Sequence, residues 1–252
     1  MRKIAICNQK GGVGKTTTAI NLATALALLE KKTLLVDADP QTNATSGLGI
    51  DRTNLKGTTY QVLLEPATVK AAIVSTSFSH LWVLPSSPDL VGAQVELLNV
   101  ENYHFRLREV LKQVEADYDF AFIDCPPSLC VLTVNALAAA RSVLIPIQCE
   151  YYALEGVEKL LSTIRMVRTS LNPGLSIEGV LLTMFDSRLN LARQVAQEIR
   201  NYFKEKVYKA IIPRSVRLAE APSFGKPIFK HDIGSAGAQA YLMLAREVLN
   251  HS

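Results

Sequence analysis

Three short stretches carry residue types that perform phosphate chemistry when a fold brings them together. The first, Lys10-Gly-Gly-Val-Gly-Lys15-Thr-Thr-Thr, follows a short apolar run and leads into a helical pattern. Gly11, Gly12 and Gly14 lack the Cβ that would stop successive backbone N–H groups from turning into one concavity. A helix opening near Thr16 adds the positive end of its dipole, which favours bound phosphate. Lys15 is placed to reach the outer phosphates, and the Thr16 hydroxyl to ligate Mg²⁺. The second stretch is Leu34-Leu-Val-Asp37-Ala-Asp39-Pro-Gln and the third Phe120-Ala-Phe-Ile-Asp124-Cys-Pro-Pro-Ser, each an apolar strand closed by acid. Mg²⁺ takes oxygen ligands and keeps some of its waters, so carboxylates beside a phosphate loop are the equipment of nucleotide hydrolysis.

The loop departs from the ordinary pattern G-x-x-x-x-G-K-[ST], because Gln9 occupies the first glycine position and Lys10 adds a second lysine. One lysine satisfies an ordinary site, and Lys10 sits too early in the loop to add much within its own chain. It reads either as a solvated charge or as a cation serving phosphates held by a neighbouring subunit.

Positioning these groups requires alternating strands and helices. Apolar runs predict strands at Lys3–Cys7, Thr33–Val36, Leu81–Leu84, Phe120–Ile123, Ser142–Ile147, Glu178–Met184 and Val207–Ile212. Most are continuously apolar, as in strands covered on both faces. Helical patterns cover Thr16–Leu29, Asp89–Leu98, Tyr103–Ala116, Leu129–Ala139, Leu154–Leu171, Ala192–Phe203 and Ser235–Leu249. The repeated β-then-α order predicts an α/β fold: a doubly wound, mostly parallel sheet with helices on both faces. Ligands of such sheets gather at the carboxyl ends of the strands, where Asp37, Asp39 and Asp124 fall.

Composition narrows the alternatives. The 252 residues are 48% hydrophobic and 20% charged, which excludes a mainly disordered chain. No apolar stretch approaches the roughly 18 uncharged residues of a membrane span, and the N-terminal MRKIAIC is too short for a signal peptide, so a soluble, cytoplasmic protein is expected. The four cysteines, at 7, 125, 130 and 149, form no C-x-x-C; Cys125 and Cys130 are the only pair close in sequence, and buried free thiols are expected. The four histidines show no metal-ligand spacing. Residues 1–180 hold 16 Lys+Arg against 17 Asp+Glu, whereas residues 181–252 hold 11 against 6. A basic last third is a mild pointer to a polyanionic partner.

The chain resembles the deviant Walker A ATPases, and within them the ParA/Soj chromosome-partitioning group, nearly end to end. The resemblance is carried by NQKGGVGKTTTAINLA (8–23), VDADPQTNATSGLG (36–49), IDCPPS (123–128), IPIQCEYYALEG (145–156), GVLLTMFDSR (179–188) and IPRSVRLAEAPSFGKPI (212–228). It implies a P-loop ATPase using ATP and Mg²⁺, slow until stimulated. Lys10 matches the signature lysine that reaches nucleotide across an ATP-dependent homodimer. Gly12 matches the glycine that must be small where two loops face each other. Gly11, Val13 and Gly14 match the rest of the cradle, and Lys15, Thr16 and Thr17 its phosphate and Mg²⁺ contacts. Asp39 matches the acid that positions the attacking water, and Asp124 the outer Mg²⁺ acid, both acting on the ion through water. Met184 and Pro213 fall where the family contacts adenine. Arg188 and Arg217 match the residues with which the ATP dimer holds DNA without sequence preference, and a ParB-type centromere-binding partner then stimulates hydrolysis.

The resemblance further implies a nucleoid-associated protein with a single ATPase domain over 1–252 and no N-terminal helix-turn-helix domain. The alternative is a MinD-like membrane-cycling ATPase. The C-terminal helix speaks against it, because Ala238 to Leu249 carries only Arg246 and Glu247 as charges rather than a basic amphipathic tail.

Overall fold

The structure, a computed structural model, describes residues 1–151, 153 and 155–250, with Glu155 and Gly156 as backbone only. Eight strands form one sheet: β1 (Arg2–Ile6), β2 (Thr33–Asp37), β3 (Val74–Ser75), β4 (Leu81–Leu84), β5 (Phe120–Asp124), β6 (Ser142–Gln148), β7 (Ser176–Phe185) and β8 (Val207–Pro213). Their order is β3-β4-β2-β5-β1-β6-β7-β8. Every pairing is parallel except that of β3 with β4. The predicted doubly wound, mostly parallel architecture is therefore present, with an antiparallel edge strand that the sequence reading lacked.

Alternation along the strands explains the continuous apolar runs. In β1, Ala5 joins one core while Ile4 and Ile6 join the other; in β5, Ala121 and Ile123 face the first while Phe120 and Phe122 face the second. Both faces are covered, so both faces are apolar.

Helices join the strands. In chain order they are α1 (Lys15–Leu28), α2 (Asn43–Gly47), α3 (Thr59–Leu64), α4 (Val69–Ala72), α5 (Leu90–Glu96), α6 (Arg106–Lys112), α7 (Val131–Ala139), α8 (Glu155–Ser170), α9 (Asn190–Phe203), α10 (Val216–Glu220), α11 (Ile228–His231) and α12 (Ala236–Asn250). Elements α5 to α8 border the first core, whereas α1 and α12 pack in the second. Small side chains from Ala19 to Ala27 are buried around α1, which lets it lie close under the sheet.

Several boundaries differ from the sequence pattern. The helix expected over Tyr103–Ala116 divides into a 3₁₀ turn at Tyr103–Phe105 and α6. It ends at Lys112 because Gln113, Val114 and Glu115 donate to carbonyls three residues back, at 3.2, 3.4 and 3.4 Å. The expected Asp89–Leu98 helix becomes α5 followed by a 3₁₀ turn at Leu97–Asn99. Helices α2 to α4 are too short to show a period. Leu154, the expected start of a long helix, lies outside the described residues, as does Tyr152 in the quoted 145–156 motif. Among the described residues no helix is long and apolar enough to cross a membrane.

Candidate nucleotide site

The parallel register sets the site. Strands β1, β5 and β2 lie side by side, so Ile6 pairs with Asp124 and Asp124 with Asp37, and all three run out at one end of the sheet. The loop after β1 is pinned before it turns. Asn8 Nδ2 donates to the Pro146 carbonyl at 2.7 Å, and its Oδ1 accepts from Lys10 N at 3.0 Å. Farther on, Thr183 Oγ1 donates to the Val13 carbonyl at 2.8 Å, tying the loop to β7. Gly12 and Gly14 adopt φ of 75° and 88°, the left-handed region that disfavours a side chain. Around Gly11 and Gly12 an added Cβ meets nothing of this chain within 4 Å. Their outer side is open, so any further demand for smallness there comes from outside the protomer.

Lys15 opens α1 and is 7% exposed. Its Nζ donates to the Lys10 carbonyl at 3.0 Å, which folds the side chain back over the loop. Burial lowers its pKa, opposed chiefly by the negative charge of Asp124. Thr16 and Thr17 follow in the first turn of α1 and are half-buried.

The acids differ in their support. Asp37 is fully buried and well served: Oδ2 accepts from Thr45 N at 2.8 Å and Thr45 Oγ1 at 2.6 Å, and Oδ1 accepts from Asp39 N at 3.2 Å. Burial nevertheless pushes its pKa up to about 6. Asp39 accepts from Gln41 N at 2.9 Å. Asp124 is equally buried, yet neither of its oxygens completes a hydrogen bond. Burial, then the neighbouring Asp37, raises its pKa well above the carboxylate range, and the nearby Thr16 hydroxyl and Lys15 offset this in part. A sealed carboxyl approached by no donor but the Thr16 hydroxyl is costly to ionise unless something cationic or hydrated completes it. Together with the Thr16 hydroxyl it forms a hard oxygen donor set, which fits Mg²⁺ and its waters.

Lys10, the extra lysine, forms an ion pair with Glu150 of its own chain, just past the end of β6. Met184 and Pro213 line a cavity of about 270 Å³ beside Gly14 and Thr17, with Ile212, Leu218 and Tyr241 completing its apolar wall. Met184 holds φ of 49°, an uncommon conformation for such a side chain, at the end of β7. The sequence-derived loop residues, Asp39, Asp124, Met184 and Pro213 thus surround one region.

Arg188 and Arg217 are not among the residues that line this cavity. Arg188 follows β7 and is bound by Asp186, with Nε at 2.9 Å and NH2 at 2.7 Å from its oxygens. Arg217 lies on α10 within 3.4 Å of Glu220 and 3.6 Å of Asp232. Both guanidinium groups are exposed, and each already has a carboxylate partner.

Neither Asp37's support by Thr45 nor Lys10's pairing with Glu150 has a signal in the sequence, since the first joins a strand end to a helix too short to show a period and the second joins two separate loops. The thiols are also re-sorted. Cys7 and Cys125, not Cys125 and Cys130, form the close pair, with sulfurs 2.7 Å apart, because the residues after Ile6 and Asp124 leave adjacent strands together. Cys7, Cys125 and Cys149 are buried and Cys130 is half-buried.

Residues 1–177 match a protein-family profile described as an AAA domain. The chain is 58% identical over 248 residues to the chromosome partitioning protein ParA of Myxococcus xanthus, covering 98% of this chain and 88% of that one. It is 53% identical over 249 residues to the chromosome-partitioning ATPase Soj of Thermus thermophilus, covering 99% and 96%. Among solved structures, the cobyrinic acid a,c-diamide synthase of Mycobacterium smegmatis with bound ATP analog and magnesium superposes with a TM-score of 0.87. That protein is 37% identical, covering 100% of this chain and 95% of its own.

Proposed function

Because the chain belongs to the ParA/Soj family of chromosome-partitioning ATPases, we propose that it hydrolyses ATP as a homodimer that holds DNA without sequence preference until a ParB-type partner releases it. The protein is an ATPase, and ATP with Mg²⁺ is its substrate pair. The observation that carries the reading is the pairing of an orphaned buried carboxylate, Asp124, with a phosphate cradle that is open outward at Gly11 and Gly12.

In this reading the backbone of Lys10, Gly11, Gly12, Val13 and Gly14 cradles the phosphates, while Lys15 neutralises the outer oxygens and Thr17 assists. Bound Mg²⁺ supplies charge neutralisation at the phosphate oxygens. Thr16 would ligate the ion, and Asp124 and Asp39 would hold it through water. Asp39 also orients the attacking water, so catalysis is positioning and electrostatics with no covalent step on the protein. The adenine enters the apolar cavity between Met184 and Pro213. Lys10 leaves Glu150 and reaches the phosphates of the second copy, across the open side of the two glycines. Arg188 and Arg217 bind the DNA backbone, and dimerisation doubles them from two to four, turning weak binding into retention.

DNA retention measured with ATP, with ADP and without nucleotide tests the scheme, alongside Asp39→Ala in ultracentrifugation. ATP alone should promote retention, and Asp39→Ala with ATP should stay dimeric on DNA. Equal retention in all three states, or a monomeric Asp39→Ala, overturns it.

A further inference from the structure

One helix face away from the nucleotide site carries uncovered apolar side chains. Val91, Val95 and Leu98 recur at four- and three-residue spacing along α5 and its 3₁₀ extension, and are 58%, 69% and 58% exposed. The opposite side of the same helix is fully used, since Leu90, Ala93 and Leu97 are buried in the core. Single exposed apolar residues are ordinary, but three in line on one helix form a stripe suited to another surface.

The segment that carries the stripe has charges of one sign. Residues 71–105 contain Asp89, Glu96 and Glu101 and not one Lys or Arg. All three carboxylates are exposed, and Glu96 is steadied by the Tyr60 hydroxyl, which donates to it at 2.9 Å. A second copy meeting this face with its own would oppose carboxylate to carboxylate, and DNA would be repelled for the same reason. The complementary occupant is a helix with an apolar face flanked by Lys or Arg.

The same segment is bonded to the nucleotide site. Directly before α5, Ser86 N donates to Thr45 Oγ1 at 2.9 Å, and Thr45 Oγ1 and N in turn donate to Asp37. On the other side, Thr59 N donates to the Pro85 carbonyl at 2.7 Å and Thr59 Oγ1 to the Asp37 carbonyl at 2.7 Å. Pro85 and Ser86 therefore join α5 to the strand end that bears Asp37 and Asp39 through two short hydrogen-bonded paths. A contiguous physical connection of this kind can carry coupling between sites.

We propose that the α5 face is where the stimulating partner docks, through a basic amphipathic helix, and that its binding is felt at Asp37 and Asp39 through Pro85 and Ser86. The inference rests on the proposed function and adds the docking surface and the chemistry of the docking segment. Its test measures DNA-dependent ATPase against increasing ParB-type protein of the same genome. The wild type is compared with Val95→Lys and with the triple Asp89→Asn/Glu96→Gln/Glu101→Gln. Both variants should need about tenfold more partner for half-maximal stimulation. In the triple variant stimulation should also become less sensitive to salt. Unstimulated turnover, ATP-dependent DNA retention and melting temperature should stay unchanged. Stimulation of both variants at the wild-type partner concentration overturns the docking surface while leaving the proposed function intact. A wild type that no concentration of partner stimulates overturns the proposed function and this surface with it. If Val95→Lys melts early, the triple variant, which alters only exposed charge, decides.

Discussion

Asp37 and Asp124 stand opposite one another as the last residues of neighbouring parallel strands, both sealed from solvent. Asp37 accepts three hydrogen bonds, whereas Asp124 completes none and has only the Thr16 hydroxyl nearby. Two carboxylates this close in a dry setting resist ionising together. The pair therefore stores a cost in the nucleotide-free chain, and in the proposed function, where Asp124 would hold Mg²⁺ through water, the cation would relieve it and couple metal binding to pH and to stability.

That coupling has a definite sign. The folded chain holds the Asp37 proton up to about pH 6, whereas the unfolded chain releases it near 4. Between those values the folded state binds more protons, so stability of the nucleotide-free protein should fall as pH rises from about 4 to about 6. Cation binding needs the ionised form, so the rise in melting temperature given by Mg²⁺ with ADP should be larger at pH 7.5 than at pH 5. An equal rise at both values would show that these acids are not linked to the ion.

Asp124→Asn separates structure from function at the same point. Replacing a buried carboxyl whose ionisation burial and Asp37 both oppose should raise the melting temperature of the nucleotide-free chain by about 2–4 °C, the shift that ~1 kcal/mol gives at this size. The Mg²⁺-dependent part of nucleotide stabilisation should vanish, and ATP turnover with it. A variant that melts lower and still responds to Mg²⁺ would assign Asp124 to scaffolding.

Lys10 in its own chain is committed to Glu150, and in the proposed dimer it serves the other copy's phosphates. The two contacts compete. Glu150→Gln should therefore increase the dimer fraction at subsaturating ATP, read by ultracentrifugation in an Asp39→Ala background, and Lys10→Ala should abolish the dimer. Identical dimer fractions for Glu150→Gln and its parent would make the ion pair a bystander.

The contrast between Lys10 and Glu150 also marks how far the sequence alone reaches. The phosphate loop was legible because its residues are contiguous, and Asp39 and Asp124 because each closes an apolar strand. Strand order was not, so the pairing of Asp37 with Asp124 and the contact of Cys7 with Cys125 emerge only from the register. Glu150 has no local signal beyond its place just after β6, some 140 residues from Lys10. Helices α2 to α4, and with them Thr45 and Thr59, are too short to imprint a period, although they carry the support of Asp37.

The exposed arginines give the last test. Arg188 is held by Asp186, whose own pKa it depresses to about 2, so the carboxylate stays charged at any working pH and screens the guanidinium from DNA. Each phosphate neutralised contributes about −0.9 to the slope of log K against log salt, so four arginines in a dimer should give roughly −3.6 with ATP and about half that for a single protomer. Arg188→Ala combined with Arg217→Ala should remove this slope and leave ATP binding intact. Asp186→Asn should do the reverse, tightening DNA binding at low salt with little change of slope, because it frees an existing cation instead of adding one. DNA affinity that weakens in Asp186→Asn would mean that the carboxylate aims Arg188 rather than competing for it.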